Sequence, residues 1–428
     1  MILFYNILWI LCLPFIIVLM VFRLIIGKED SLRISERFGI ISLNKSKKKT
    51  IWIHAASVGE AKLALTLAEQ LQKKFKDNRV LITTGTKTSA SIVRSNTSPT
   101  LIHQYIPIDN IISVYLFLDY WKPQIGIFIE GELWPNMLYL GEKYCPLILI
   151  NARMSDKSFE RWEYFRPLLS MLASKFKQIL CQSSLDTIKY HKLGIKSAKE
   201  IGNLKYSSTK LEVDSTQLKS LTSQIVDRKV FLAVSTHPGD ELKILDVHSK
   251  LRENHENLLT IIAPRHTNRS KEIQALIKAK KISYKTRSKK EKITDSTEVY
   301  IADTMGELGL FFSIAKASFI GGSFANGGHN PIEPAFFNTY ILFGPDMSNF
   351  FEIAEEFTSQ NAAIQVSDTK TLVEALEKIF EGKMDSSNLQ KKKIIKNHSS
   401  VLDAYVSYVK DCMENNKNVI QISEINSI

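Results

Sequence analysis

The sequence predicts an α/β protein made of two doubly wound units, each built on a parallel sheet. Short apolar runs alternate with amphipathic stretches from Thr50 onward, and strands separated by helices imply parallel pairing. The alternation lapses over residues 207–227, which are polar and weakly patterned, and then restarts. A chain of 428 residues is also too long for one ordinary core, which sets units of about 150–200 residues.

The first 22 residues carry no charged side chain, and Arg23 ends the run. As a helix, residues 2–26 would span about 37 Å, enough for a hydrocarbon core of about 30 Å with some tilt. A cleaved signal peptide needs a basic start and a small-residue cleavage site, and neither is present. The alternative is a buried N-terminal hairpin. Pro14 is tolerable inside a membrane helix. Arg23, Lys28, Arg33 and Arg37 follow the run and nothing basic but the amino terminus precedes it. The positive-inside rule then gives a single-pass anchor with the bulk of the chain in the cytoplasm. Lys45, Lys47, Lys48 and Lys49 form a juxtamembrane cluster suited to anionic lipid, or simply a solvated loop.

The strand-like runs are 51–56, 79–83, 101–106, 124–129, 147–150 and 178–181, then 230–234, 258–263, 299–302, 317–320 and 340–343. Leu63, Leu67 and Leu71 recur every four residues and mark 61–75 as a helix; 372–380 and 401–413 also look helical. The expected divisions are an anchor over 1–26, an N-terminal unit over 27–206, a linker over 207–227, a C-terminal unit over 228–400, and a terminal helix and tail over 401–428. Two such units joined by a linker make a cleft.

The formal net charge is +12, from 56 Lys+Arg against 44 Asp+Glu, a balance that suits anionic partners. The four cysteines are scattered and form no C-x-x-C pair, which points to a reducing compartment and away from a disulfide framework or structural zinc. No Asp-x-Asp and no G-x-x-x-x-G-K-[ST] occur, so a common divalent-metal handle and the P-loop are both missing.

Glu60 and Glu130 are the most informative residues. Each ends a buried strand pattern and begins a turn into a helix, in His54-Ala-Ala-Ser-Val-Gly-Glu60 and Glu130-Gly-Glu-Leu-Trp-Pro135. In open α/β sheets the chemistry gathers outside the carboxyl ends of the strands. Two carboxylates at one such edge are the raw material of acid/base work. Ser57-Val-Gly-Glu60 equally fits a capping box, in which Glu60 only stabilises a helix start. Lys205, in Gly202-Asn-Leu-Lys205, is placed to meet an anion or to serve as a surface residue.

In the second half, Arg265 of Ala263-Pro-Arg-His266 follows an apolar strand, where Arg suits phosphate or carboxylate. Asp303-Thr-Met-Gly-Glu307 opens a helix whose free N–H groups attract anions. Gly321 to Pro334 interleaves glycines with His329, Asn330 and Glu333. Glycines let a backbone approach a ligand closely, and Pro331 at a helix start leaves N–H groups for phosphate. Glu333 would accept hydrogen bonds from ribose hydroxyls. This combination marks a nucleotide site.

With these motifs in order, the chain resembles the 3-deoxy-D-manno-octulosonic acid (Kdo) transferases of lipopolysaccharide synthesis over nearly its whole length. The N-terminal anchor, Glu36-Arg-Phe-Gly39, Asn151-Ala-Arg153, Met305-Gly-Glu307 and Gly328-His-Asn-Pro-Ile-Glu-Pro334 share in the match. The resemblance implies a GT-B fold and metal-independent, inverting transfer from CMP-Kdo to a lipid A precursor, lipid IV-A, with no cofactor. It implies Glu60 as general base and Glu130 and Lys205 as stabilisers of the transition state. Pro264, Arg265, Met305, Gly306, Glu307, Asn330, Pro331, Ile332 and Glu333 would bind the CMP part. The rivals are a sugar-nucleotide epimerase of the same architecture, whose soluble substrates need no anchor, and a membrane-tethered nucleic-acid-binding protein. The latter would show RNP-type strands or a recognition helix, and neither is evident, so no nucleic-acid partner is expected.

Overall fold

The structure is a computed structural model that describes residues 2–41, 48–207, 211–384 and 388–425. Lys45 and Lys47 of the basic cluster lie outside these residues. The chain divides into two compact units, Met1–Ser207 with His398–Ile428, and Ser208–Asn397.

The first unit carries seven strands: β1 (Lys49–Ala55), β2 (Asn78–Thr84), β3 (Leu101–Tyr105), β4 (Ile125–Ile129), β5 (Leu147–Ala152), β6 (Phe176–Cys181) and β7 (Ala198–Glu200). They are parallel in the order β3-β2-β1-β4-β5-β6-β7, so the winding reverses between β1 and β4. Both faces are covered, which is why the strands read as continuous apolar runs. Alternate residues of β1 go to opposite faces: Ile51, Ile53 and Ala55 join one apolar cluster and Trp52 the other. Each of the two isoleucines, fully buried, contributes about 1.5–3 kcal/mol of transfer free energy.

The second unit repeats the design with β8 (Lys229–Thr236), β9 (Leu258–Pro264), β10 (Tyr284–Thr286), β11 (Val299–Ile301), β12 (Ala317–Ile320), β13 (Tyr340–Phe343) and β14 (Ile364–Gln365). These too are parallel, in the order β10-β11-β9-β8-β12-β13-β14, and the reversal falls between β8 and β12.

Several boundaries differ from those expected. The stretch 207–227 is no bare linker. It contains the helix Ser215–Gln224, started by Asp214, whose carboxylate accepts from the N–H groups of Thr216 and Gln217, and tied down by buried Leu221. The terminal helix Val401–Ile425 returns to the first unit, where Val401, Tyr405, Val409 and Cys412 pack with residues of β1 and β4. That moves the expected division at 400/401 to 397/398. The helix expected from 61 begins at Val58, directly after the Ser57 cap. β7, β10 and β14 have two or three residues each, too few to show a periodicity. The N-terminal apolar run is a helix, Ile2–Ile25, long and apolar enough to cross a membrane, with none of its residues buried.

Candidate active site

Glu60 follows β1 and Glu130 follows β4, so the reversal in strand order sets both carboxylates at one place on the carboxyl edge of the first sheet. Ser57 caps the helix Val58–Lys74 by accepting from the Glu60 N–H at 3.2 Å. The Glu60 side chain does not complete a capping box with Ser57. Its Oε2 accepts from the Ala56 N–H at 2.7 Å, one residue before the cap. The helix start therefore orients the carboxylate instead of consuming it.

Burial pushes the Glu60 carboxyl from the ordinary 4.5 to about 7. Hydrogen bonds from Ser57 and Ala56 oppose the rise, and the charges of Glu130 and Glu132 add to it. Burial also raises Glu132. The helix N-terminus alone would lower such a group, so desolvation wins here.

Glu130 sits at φ 66°, in the left-handed region that costs a side-chain-bearing residue about 1–2 kcal/mol. Two hydrogen bonds hold it there: its N–H donates to the Ile150 carbonyl and its carbonyl accepts from the Arg153 N–H, each at 3.0 Å. Lys205 follows β7, three strands away from β4, yet its Nζ comes within 3.8 Å of Glu130 Oε1. The loop 201–205 runs back across the edge because Asn151 draws it there. Asn151 Oδ1 accepts from the Leu204 N–H at 2.7 Å, and the Asn151 N–H donates to Tyr405 Oη. Tyr405 Oη in turn donates to the Gly202 carbonyl at 2.9 Å. Gly202 must be glycine: its φ is 116°, and a Cβ would come within 2.7 Å of Val401 Cγ2. Asn151 and Tyr405 are thus the positioning residues that sequence reasoning missed, although Asn151 stands in one of the motifs. His54, by contrast, belongs to the core. Burial holds its ring down to about 4, and Nδ1 meets Thr83 Oγ1 at 3.1 Å.

In the second unit the proposed nucleotide residues come from loops after β9, β11 and β12, all on the carboxyl edge of that sheet. Pro264 is the buried last residue of β9, and Arg265, half-buried, donates its N–H to the Thr236 carbonyl at 3.0 Å. Met305 is exposed, and Gly306 sits at φ 81° with open space where a Cβ would be. Glu307 is already engaged: Arg287 clamps it through Nη2 at 2.6 Å and Nε at 3.1 Å, and this lowers its carboxyl. Met305 and Glu307 help to line a cavity of about 840 Å³ with Arg287, Lys290 and Tyr300.

The stretch after β12 differs from expectation in one respect. Pro331 caps a helix of a single turn, Ile332–Ala335, and the Ile332 N–H is taken by Asn330 Oδ1 at 3.0 Å. That N–H is not left for phosphate. The Ile332 side chain is buried in the core, and Asn330 Nδ2 lies 3.5 Å from Glu333 Oε1.

Sequence reasoning also passed over Thr236-His-Pro-Gly-Asp-Glu241, which follows β8 at the reversal point. Asp240 accepts from the N–H groups of His237 at 3.0 Å and Gly322 at 2.7 Å, stapling the loops after β8 and β12 together. The rings of His237 and His329 then stack, with their Nε2 atoms 2.8 Å apart, one donating and the other accepting. A histidine, proline and glycine directly after an apolar strand were the available signal. Among the described residues, no group of three or more His, Cys, Asp or Glu is placed to hold a metal ion.

The family model for 3-deoxy-D-manno-octulosonic-acid transferase (kdotransferase) matches residues 32–208. A 3-deoxy-D-manno-octulosonic acid transferase from Rickettsia bellii (strain RML369-C) is 40% identical over 409 residues, covering 95% of this chain and 98% of its own length. A glycosyltransferase of known structure from Rickettsia africae ESF-5 is similar at a TM-score of 0.57 and 12% identity, over 86% of this chain and 100% of that one. A putative UDP-N-acetylglucosamine 2-epimerase from Listeria monocytogenes reaches the same TM-score of 0.57 at 10% identity, over 86% of this chain and 97% of its own. These two structures establish a GT-B-type fold and do not choose between transfer and epimerisation. The sequence relative does.

Proposed function

Because the chain belongs to the Kdo transferase family, and is a glycosyltransferase, we propose that it moves Kdo from CMP-Kdo onto the lipid A precursor lipid IV-A at the cytoplasmic face of an inner membrane. The reaction is a direct, inverting displacement at the anomeric carbon that needs no metal. The observation that carries the mechanism is the pair of carboxylates at the reversal point of the first sheet, one of them held near pH 7. A general base works best when its pKa lies near the operating pH, and Glu60 meets that condition. It takes the proton from the acceptor hydroxyl as oxygen attacks the sugar. Glu130 complements the positive charge that builds at the anomeric carbon as the bond to phosphate lengthens, and Lys205 supplies the countercharge.

The leaving group is CMP, whose phosphate charge must be held as it departs. Arg265 and the N–H groups around Gly306 serve that end, with Met305, Glu307 and Asn330–Glu333 placing the nucleoside. The paired His237 and His329 stand at the second reversal point, where ligands of such sheets gather. The first unit is the acceptor unit in this reading, and the second the donor unit.

Purified protein incubated with CMP-Kdo and the tetraacyl precursor should give precursor enlarged by Kdo, weighed by mass spectrometry, with one CMP released per sugar. The new linkage should have inverted anomeric configuration by NMR, and chelator should leave the rate unchanged. Sugar released without transfer would sink the transferase mechanism, and a rate lost to chelator and restored by magnesium would sink the metal-free one.

A further inference from the structure

The N-terminal helix Ile2–Ile25 touches the first unit at both of its ends. In its first turns Tyr5 Oη donates to Asp109 Oδ2 at 3.0 Å, and Trp9 Nε1 donates to Tyr5 Oη at 3.0 Å. Asn136 Nδ2 donates to Asn6 Oδ1 at 2.9 Å. In its last turn Arg23 pairs with buried Glu29 at 2.8 Å. Arg37 grips Glu29 from the other side and donates to the carbonyls of Gly85 at 2.6 Å and Ile106 at 3.1 Å.

Tyr5 and Arg23 stand about 27 Å apart along the axis of a straight helix. A helix crossing a bilayer upright carries its first turn a full membrane thickness away from the domain that follows it. This helix instead runs alongside its own unit. Its sides agree. Tyr5, Trp9, Ile16, Met20 and Arg23 are half-covered and recur on one face. Phe4, Leu11, Phe15, Val18, Phe22 and Ile25 are exposed and fall on the opposite face.

The attachment points share one location. Gly85 follows β2, Asp109 follows β3 and Asn136 follows β4, so all lie on the carboxyl edge that also holds Glu60 and Glu130. The link to the catalytic turn is short, since a Cβ on Gly85 would lie 3.5 Å from the carbonyl of Ala56, whose N–H holds Glu60.

We propose that the helix is an in-plane membrane element: it lies flat in the leaflet next to the first unit, latched along the catalytic edge, with the Phe4–Ile25 face immersed. This replaces the single-pass span expected from hydropathy, and it rests on the reading of the protein as membrane-bound. The occupant of the exposed face is lipid. An apolar stripe that ends at Arg23, Lys28 and Lys87, whose Nζ donates to the Gly27 carbonyl, matches acyl chains beneath anionic headgroups. Polar Tyr5, Asn6 and Trp9 keep their partners in this arrangement, whereas an upright helix would carry them into the far half of the bilayer without Asp109 and Asn136. A lipidic acceptor in the same leaflet then meets Glu60 at the membrane surface.

The test uses the full chain with Cys12→Ser and Ile2→Cys; the remaining cysteines, Cys145, Cys181 and Cys412, are buried. The protein is bound to vesicles of phosphatidylethanolamine and phosphatidylglycerol with its two units outside, and a membrane-impermeant maleimide is added outside. Labelling at position 2 should be the same, within about a factor of two, before and after detergent. Labelling that appears only after detergent, at least tenfold higher, means a span and overturns the proposal. A protease-cleavable tag placed ahead of Met1 gives the same reading with the helix untouched: cut from outside if in-plane, protected if spanning. Failure of the wild-type chain to float with the vesicles would overturn the membrane reading itself, and the in-plane helix with it.

Discussion

The two sheets reverse their strand order in the same way and fill that position with opposite chemistry. In the first unit the loops after β1 and β4 carry Glu60 and Glu130, and burial raises the Glu60 carboxyl to about 7. In the second unit the loops after β8 and β12 carry a histidine pair and glycines, and three nearby carboxylates are committed to bracing. Asp240 joins two loops, Glu241 is held by Arg269 at 2.6 Å, and Asp303 accepts from Ser288. Glu60 and Glu307 make the sharpest pair. Both stand at the start of a helix just after a strand, yet burial dominates at Glu60, whereas the Arg287 hydrogen bonds dominate at Glu307 and lower it. Sequence position supplies a carboxylate; its neighbours decide whether it becomes a base or a brace.

The largest effect should come from removing the base. Glu60→Gln keeps the shape and should cost about a hundredfold to ten-thousandfold in transfer rate, the usual worth of general-base catalysis. The wild-type rate should rise with pH through about 7, where Glu60 loses its proton, and that limb should vanish in the variant. Stability should move the other way. With a folded value above 4.5, the carboxyl's contribution is whole below pH 4.5 and is lost as pH rises through about 7. Glu60→Gln should therefore melt higher than wild type at pH 8 and level with it at pH 4.5. Glu307→Gln is the counterpart and should leave the pH limb in place. Near-normal turnover in Glu60→Gln would leave Glu60 as no more than the partner of the Ala56 N–H and end the contrast.

Next is Arg265→Ala in the second unit. A charge-assisted hydrogen bond is worth about 1.5–3 kcal/mol, so CMP affinity by calorimetry should fall by roughly ten- to 150-fold. Unchanged affinity would place the nucleotide elsewhere. Asn151→Ala probes the first unit without touching either carboxylate. It strips the Leu204 N–H of its buried acceptor and puts alanine at φ 50°, costing about 1–3 kcal/mol of stability. Transfer should fall while CMP affinity holds, because the loop it steadies carries Lys205. A fall in both would mean that the two units do not divide donor from acceptor.

What the sequence disclosed follows from how local each signal is. The strands near 51–56 and 124–129 were legible because burial on both faces leaves an unbroken apolar run, and the carboxylates were legible because they end those runs. The return of Val401–Ile425 to the first unit was not, since an amphipathic helix shows that it has a partner and not which one. The 207–227 stretch misled because Ser and Thr dominate its helix, in which only Leu221 is buried. Asn151 and Asp240 act through backbone N–H groups brought together by folding, a pairing no linear pattern records. The glycine-rich stretch after β12 stands out by composition, but the capping of Ile332 by Asn330 depends on a helix of one turn that composition does not measure.

The smallest effect concerns the N-terminal helix and returns to the contrast between the units. Deleting residues 2–26 removes no buried side chain, and it leaves the Glu29–Arg37 pair in place, so the melting temperature should shift by only a few degrees. Burial holds the Asp109 carboxyl up at about 6, opposed by hydrogen bonds from Asn136, Met137 and Tyr5. CMP affinity, which the proposed division assigns to the second unit, should not move. Transfer to detergent-dispersed acceptor should remain within a fewfold of wild type, because Glu60, Glu130 and Lys205 are all retained. Transfer to acceptor embedded in anionic vesicles should drop, and raising salt from 0.1 to 1 M, which shortens the screening length from about 10 to 3 Å, should drop it again. If the shortened chain fails to fold, the helix is part of the core of the first unit, and the two units differ in architecture as well as in chemistry.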